Sequence, residues 1–421
     1  MALFLLNKIK HILGYLKTLV YWIILSIIIG VVIGSAAAIF AYLIVQVTAF
    51  RVAHPIIIAG LPLGGLLIVF LYRSSGEARN NGTDLVISAV RSDEDVPLHI
   101  APLILCATII THLFGGSAGR EGAALQFGGS MGSAIGKLFH LPDDFRKIAI
   151  MAGMSAAFSA LFGTPLAAAI FSMEVISVGV LYYAALVPCV FSAFIARYMA
   201  VRLHVSSLQT PFPIENLPNF FSLAAAKTIL LALACAGCGV LFCVALKYSS
   251  LLYKKAFPNQ YARAAAGGCF VILLALVLRT QEYLGVSTHM IQSSLVTPSA
   301  PYAFILKIIF TCLTLCAGYK GGEIVPSLCI GAAMGSSLSV LLGLPADICA
   351  ACGMVGVFCA VTNSPITSLL IAFELFGFEG MPYYCSVIAV SYMLSGYYGL
   401  YHEQKIVYSK TEPKYINRQS R

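Results

Sequence analysis

Residues 18 to 50 contain no Asp, Glu, Lys or Arg, and residues 222 to 246 and 326 to 346 are almost as apolar, interrupted only by Lys227. A helix of about 20 such residues spans the hydrocarbon core of a bilayer. Composition agrees: 59% of the 421 residues are hydrophobic and 10% are charged, where a soluble domain has about 45–50% and about 25%. The expected fold class is an all-α polytopic membrane protein.

Other apolar stretches, 120 to 138, 146 to 163, 165 to 173 and 353 to 373, are shorter or interrupted by Gly and Pro. Helices that stop part-way through a bilayer expose backbone groups that only protein neighbours can satisfy, so these stretches imply a thick bundle with broken helices. The first apolar region has no A-x-A-like cleavage site and is read as an uncleaved membrane segment. Lys8, Lys10 and Lys17 precede the first span, and Lys405, Lys410, Lys414, Arg418 and Arg421 follow the last. Both termini are therefore expected in the cytoplasm. The formal charge of +9 is accounted for by these flanks and by Lys254, Lys255 and Arg263, without a nucleic-acid partner. The 13 cysteines, including Cys235 and Cys238 of "CAGC", read as buried, reduced thiols, because no second Cys pair or His cluster accompanies them.

The chain repeats itself. "GMSAAFSALFGTPLAAAIFSME" at 153 to 174 and "GMVGVFCAVTNSPITSLLIAFE" at 353 to 374 share Gly, Met, Phe, Ala, Pro and Glu at matching positions, ending at Glu174 and Glu374. Upstream, Gly128, Met131 and Gly132 correspond to Gly331, Met334 and Gly335. Such duplication in transporters means two inverted-topology halves with the substrate site where broken helices of both meet. The expected organisation is a cytoplasmic segment 1–20, a first membrane half 21–203, a linker 204–220, a second membrane half 221–402 and a cytoplasmic tail 403–421. Glu174 and Glu374 read as structural carboxylates at helix ends, and G30-VVI-G34 reads as a close-packing helix face.

Three Gly-rich helix openings stand out: "NNGTDLV" at 80 to 86, "GSAGREGAAL" at 116 to 125 and "GYKGGEIVPSL" at 318 to 328. A helix start offers unpaired N–H groups and the positive end of the dipole, and so binds anions. Asp84 suits a first helical turn. The second and third openings carry Arg120–Glu121 and Lys320 with Glu323, and a charge at mid-membrane costs about 2.5–3.5 kcal/mol. Glu121, Lys320 and Glu323 should therefore line a cavity or move ions or protons, with snorkelling to the interface as the alternative for Lys320. A soluble phosphate loop is excluded, since no strand precedes these glycines and no GK[ST] follows.

Together, "GREG", a GGxxxP segment about 200 residues later, the Pro-centred repeat and a late Tyr resemble the CLC family of anion channels and anion/proton antiporters, from about residue 20 to 410. The resemblance implies that Glu121 is the gating and proton-carrying glutamate. It places anion donors around Asn81, Gly82, Gly119, Arg120 and Gly122 in the first two openings. In the third they are Glu323, Ile324 and Val325, and the Tyr401 hydroxyl completes the site. Asn81 stands where chloride-selective members have Ser, Ala123 replaces Pro, and Glu323–Ile324 replaces an apolar residue and Phe. At these points the chain is similar to the bacterial fluoride/proton antiporters of the family. Val175 falls where chloride/proton antiporters carry an inner Glu.

Fluoride is small and strongly hydrated, so short, well-directed donors must replace its water. Glu323 can donate only when protonated. The expectation is a fluoride/proton antiporter of the bacterial inner membrane, in which Glu121 and Glu323 couple protons to fluoride and Arg120 holds the turn. The resemblance further implies a homodimer. Two alternatives stand: a chloride/proton antiporter or passive chloride channel, and a membrane-embedded enzyme. Against the enzyme, His112, His140 and His402 are scattered and no HExxH or GxSxG occurs; no metal or cofactor is expected.

Overall fold

The structure, a computed structural model, describes residues 2–77, 82–92, 94–204, 212, 214 and 217–420. Sixteen α-helices run in chain order among them. The first eight are α1 (Ala2–Ala53), α2 (Leu61–Ser74), α3 (Thr83–Arg91), α4 (Ile100–Leu113), α5 (Glu121–Leu138), α6 (Asp143–Phe162), α7 (Pro165–Glu174) and α8 (Leu186–Arg202). The second eight are α9 (Ala225–Ala256), α10 (Gln260–Leu278), α11 (Thr288–Val296), α12 (Ala303–Leu315), α13 (Ile324–Leu342), α14 (Ala346–Thr362), α15 (Pro365–Phe376) and α16 (Met381–Leu394). The protein is a multi-pass membrane protein, with seven helical stretches among the described residues long and apolar enough to span a bilayer and six shorter apolar helices. Most of 204–220 lies outside the described residues.

The two sets of eight are the same unit twice, in inverted topology. The nine-residue α3 corresponds to the nine-residue α11, and α5–α6–α7 corresponds to α13–α14–α15. In each half the helix pair closes on glycine. A Cβ on Gly128 would lie 2.3 Å from the Gly153 carbonyl oxygen, and one on Gly331 2.3 Å from that of Gly353. Only a missing side chain lets α5 approach α6, and α13 approach α14, so closely. The G30-VVI-G34 face of α1 meets α8 in the same way, at Ile195 and Ala196.

The stretch 353–373 is not one helix. Asn363 takes left-handed φ (58°) and ends α14, and Pro365 starts α15; Gly163 (φ 88°) and Pro165 do the same between α6 and α7. Proline suits the first helical turn and a left-handed residue suits the end of the preceding helix.

Glu174 and Glu374 are exchanged between the halves. The Glu174 carboxylate, at the end of α7, accepts the Ile366 and Thr367 N–H groups (3.0 and 2.9 Å) and the Thr367 hydroxyl (2.6 Å), capping α15. Glu374 accepts the Leu166 and Ala167 N–H groups (3.0 and 2.9 Å), capping α7. Each carboxylate thus satisfies the orphan donors of the other repeat. Orphaning a buried donor costs about 1–3 kcal/mol. Glu174→Ala should therefore lower the apparent melting temperature in detergent, and Glu374→Ala should lower it less, because Glu374 is half-buried where Glu174 is buried.

A three-stranded sheet joins the chain's end to its first half. β1 (Ser177–Val178) pairs in parallel with β2 (Lys405–Tyr408), and β2 pairs antiparallel with β3 (Tyr415–Gln419).

Candidate anion site at two joined helix starts

All three Gly-rich openings begin helices: Gly82 precedes α3, Arg120 precedes α5 and Glu323 precedes α13. The second and third are joined directly. Gly119 N–H donates to the Gly322 carbonyl (2.7 Å) and Gly322 N–H to the Gly119 carbonyl (2.8 Å), forming a two-bond antiparallel bridge between the halves. The approach requires glycine on both sides: a Cβ on Gly322 would lie 2.4 Å from Gly122 N, and one on Gly122 2.8 Å from Gly322 Cα. Residues 119–122 and 322–325 are thereby held together inside the bundle, away from lipid. Ile324 and Val325 are fully buried.

Glu121, also fully buried, folds its carboxylate back over the start of α5. One oxygen accepts Arg120 N–H (3.1 Å), and the other lies 3.4 Å from Arg120 Nε. Arg120 Nη2 donates to the Leu161 carbonyl (3.2 Å), which fixes the guanidinium against α6. The carboxylate therefore occupies a place that an anion would favour, at a helix N-terminus beside a cation.

Glu323 faces a cavity of about 280 Å³ lined by Gly82, Thr83, Asp84, Gln126, Lys320 and Tyr401, among others. Tyr401 is buried, and its hydroxyl has no hydrogen-bond partner among the described residues. Its segment is tied to both halves: Leu400 N–H donates to the Val361 carbonyl (2.8 Å), Glu403 N–H to Asp84 (3.2 Å), and Arg91 to the Glu403 carbonyl. Lys320 lines the same cavity, half-buried, with its ammonium 4.2 Å from the Tyr72 ring centroid. Asn81 lies outside the described residues. Val175 offers only its carbonyl, which accepts Gln404 Nε2 (3.0 Å).

Some polar groups near the site were not anticipated from the sequence. Lys307 of α12 is fully buried and donates to Ser117 Oγ (2.9 Å), Ser287 Oγ (2.8 Å) and the Tyr283 and Gly285 carbonyls (both 3.2 Å). It thereby ties α12 to the loop that leads into Gly119. The signal was present as one Lys within the apolar run "AFILKIIF". Asp84 is a second case, holding the Tyr401 segment as well as opening α3. The 13 cysteines are all free thiols, and no cluster of His, Cys, Asp or Glu among the described residues could hold a metal.

Adjoining helix N-termini around one buried and one half-buried carboxylate, Glu121 and Glu323, in a two-fold membrane bundle define an anion-handling transport protein. The profile of the voltage gated chloride channel family matches residues 63–396. The chain belongs to that family, the CLC proteins.

A "Chloride/fluoride channel protein" of Pseudomonas syringae pv. tomato is 33% identical over 405 residues, covering 94% of this chain and 89% of that protein. The solved structure of a CLC-type fluoride/proton antiporter matches with a TM-score of 0.88 at 32% identity, covering 92% of this chain and 98% of the other. A slow cyanobacterial Cl⁻/H⁺ antiporter shares the fold, with a TM-score of 0.76 at 17% identity over 89% of this chain and 94% of the other.

Proposed function

We propose that this chain exports fluoride across a bacterial inner membrane in exchange for protons, as a homodimer with both termini of each subunit in the cytoplasm. It is a transporter and not an enzyme. The observation that carries the proposal is the placement of two protonatable carboxylates, Glu121 and Glu323, at two helix starts joined through Gly119 and Gly322. Similarity to a named fluoride/proton antiporter at 32% identity over nearly the whole chain supports the choice of ions.

Ionised, Glu121 lies across the start of α5 and excludes other anions from it. Protonation removes the charge that the helix start and Arg120 attract, so the side chain leaves with its proton and fluoride takes the vacated donors. Glu323, protonated, offers an O–H to fluoride in the cavity it shares with Tyr401; ionised, it repels the anion. Backbone N–H groups and a Tyr hydroxyl without a competing acceptor among the described residues suit an ion that must exchange tightly held water for hydrogen bonds. The dimer rests on the family resemblance, and the orientation on the basic residues at both ends.

Purified protein in liposomes tests the reading. Vesicles loaded with fluoride should release it with concurrent proton uptake, and chloride-loaded vesicles should not. Chloride release with proton uptake would instead make the chain a chloride/proton antiporter, and release of either anion without protons would make it a channel.

A further inference from the structure

A second cavity, of about 550 Å³, shares no lining residue with the one that holds Glu323 and Tyr401. Arg51 at the end of α1, Arg120, and Ser287, Thr288 and His289 at the start of α11 line it. With α1 beginning in the cytoplasm, as proposed above, its Arg51 end faces outward, and the cavity reaches from there to Arg120, the neighbour of Glu121.

Its charge is unbalanced. Arg51 is only 4% exposed, and its Nε has no hydrogen-bond partner among the described residues. Of the three buried cations here, only Arg120 has a carboxylate within salt-bridge reach among the described residues, namely Glu121. Lys307 bonds only to neutral oxygens. Glu282 is exposed and lies within salt-bridge reach of none of them among the described residues. Gly285 separates Arg51 from the fully buried His112; a Cβ on Gly285 would lie 3.3 Å from Arg51 Nη2 and 3.9 Å from His112 Nδ1. The nine-residue α11 points its N-terminus into the same space, where the Thr288 and His289 N–H groups have no intrahelical acceptor.

Buried charge without a partner is costly unless water or a counter-ion meets it. A cleft of one charge sign with low-dielectric walls concentrates counter-ions. We propose that this cavity is a second anion-binding site, holding a hydrated monovalent anion between the Arg51 guanidinium and the N-terminus of α11. Its volume is too large for a bare halide, so the ion keeps part of its water, and the site selects for charge rather than for fluoride. Under the antiport reading above, fluoride released past Glu121 leaves through it, and external anions compete for it.

Two measurements test the proposal, the first independent of transport. Sodium nitrate is titrated calorimetrically into the purified, detergent-solubilised protein, with gluconate holding ionic strength constant. Wild type and Arg51→Lys should share a saturable component that Arg51→Gln weakens at least about tenfold, as expected for losing a charge-assisted contact of about 1.4 kcal/mol. Arg51→Lys separates loss of charge from loss of fold. Identical isotherms for wild type and Arg51→Gln would overturn the site.

In fluoride-loaded liposomes, external nitrate should slow wild-type efflux more than gluconate of equal ionic strength, and Arg51→Gln should respond equally to both. Equal slowing of wild type by the two anions would reduce the effect to screening and overturn the exit role. Absence of fluoride efflux altogether would sink the antiport reading, while the titration would still decide whether the site exists.

Discussion

Glu121→Gln protein should release fluoride from liposomes without taking up protons. Gln keeps the size of the side chain and an oxygen able to accept Arg120 N–H, now 3.1 Å from Glu121 Oε2. It cannot ionise, so it neither competes as an anion for the start of α5 nor carries a proton when it leaves. The helix starts, the Gly119–Gly322 bridge and Tyr401 all remain, so the path for fluoride persists. A fluoride electrode and a pH electrode in the same vesicle suspension read the two fluxes together. Proton uptake should fall to that of protein-free liposomes; proton movement against a gradient by the variant would remove Glu121 from the coupling role.

Gly322→Ala should cut transport sharply without removing the protein from the membrane. The added methyl would lie 2.4 Å from Gly122 N and 2.9 Å from Gly122 Cα, both backbone atoms that no rotamer change can clear. Inserting a methyl into a packed interior costs about 1–3 kcal/mol, and here the strain falls on the two hydrogen bonds, 2.7 and 2.8 Å, that hold the helix starts together. Parting them enlarges the space in which a small ion must find its donors. Fluoride efflux should drop at least about tenfold, the factor that 1.4 kcal/mol represents. Gly237→Ala is the control, because nothing lies within 4 Å of the position its Cβ would take and Ala favours a helix over Gly. Equal activity of both variants would show that the bridge does not set the site's geometry.

Much of this site was legible along the chain. Each Gly-rich opening starts a helix at the expected place, at Thr83, Glu121 and Ile324, because turn glycines, first-turn carboxylates and unpaired N–H groups are local features. The duplication at 153–174 and 353–374 likewise announced two equivalent units. Glu174 and Glu374 were legible as helix-end carboxylates, but not as caps exchanged between the repeats, since each reaches donors about 190–210 residues away. Lys307, Arg51 and His112 gave even less away. Each is one polar residue beside or within an apolar stretch, and its role depends on which loop the fold brings to it. The tail was read from its charge, and its pairing with Ser177–Val178 follows from a strand edge that exists only after the first half has folded.

The amino-acid order alone determined the solvent, the repeat and the identity of the helix starts, because hydropathy, periodicity and capping act over a few residues. Tertiary structure decided that Gly119 meets Gly322, that Glu323 shares its space with Tyr401, and that Arg51 is left without a carboxylate among the described residues. Those facts depend on distances between segments far apart in sequence, and only packing of the two halves sets such distances.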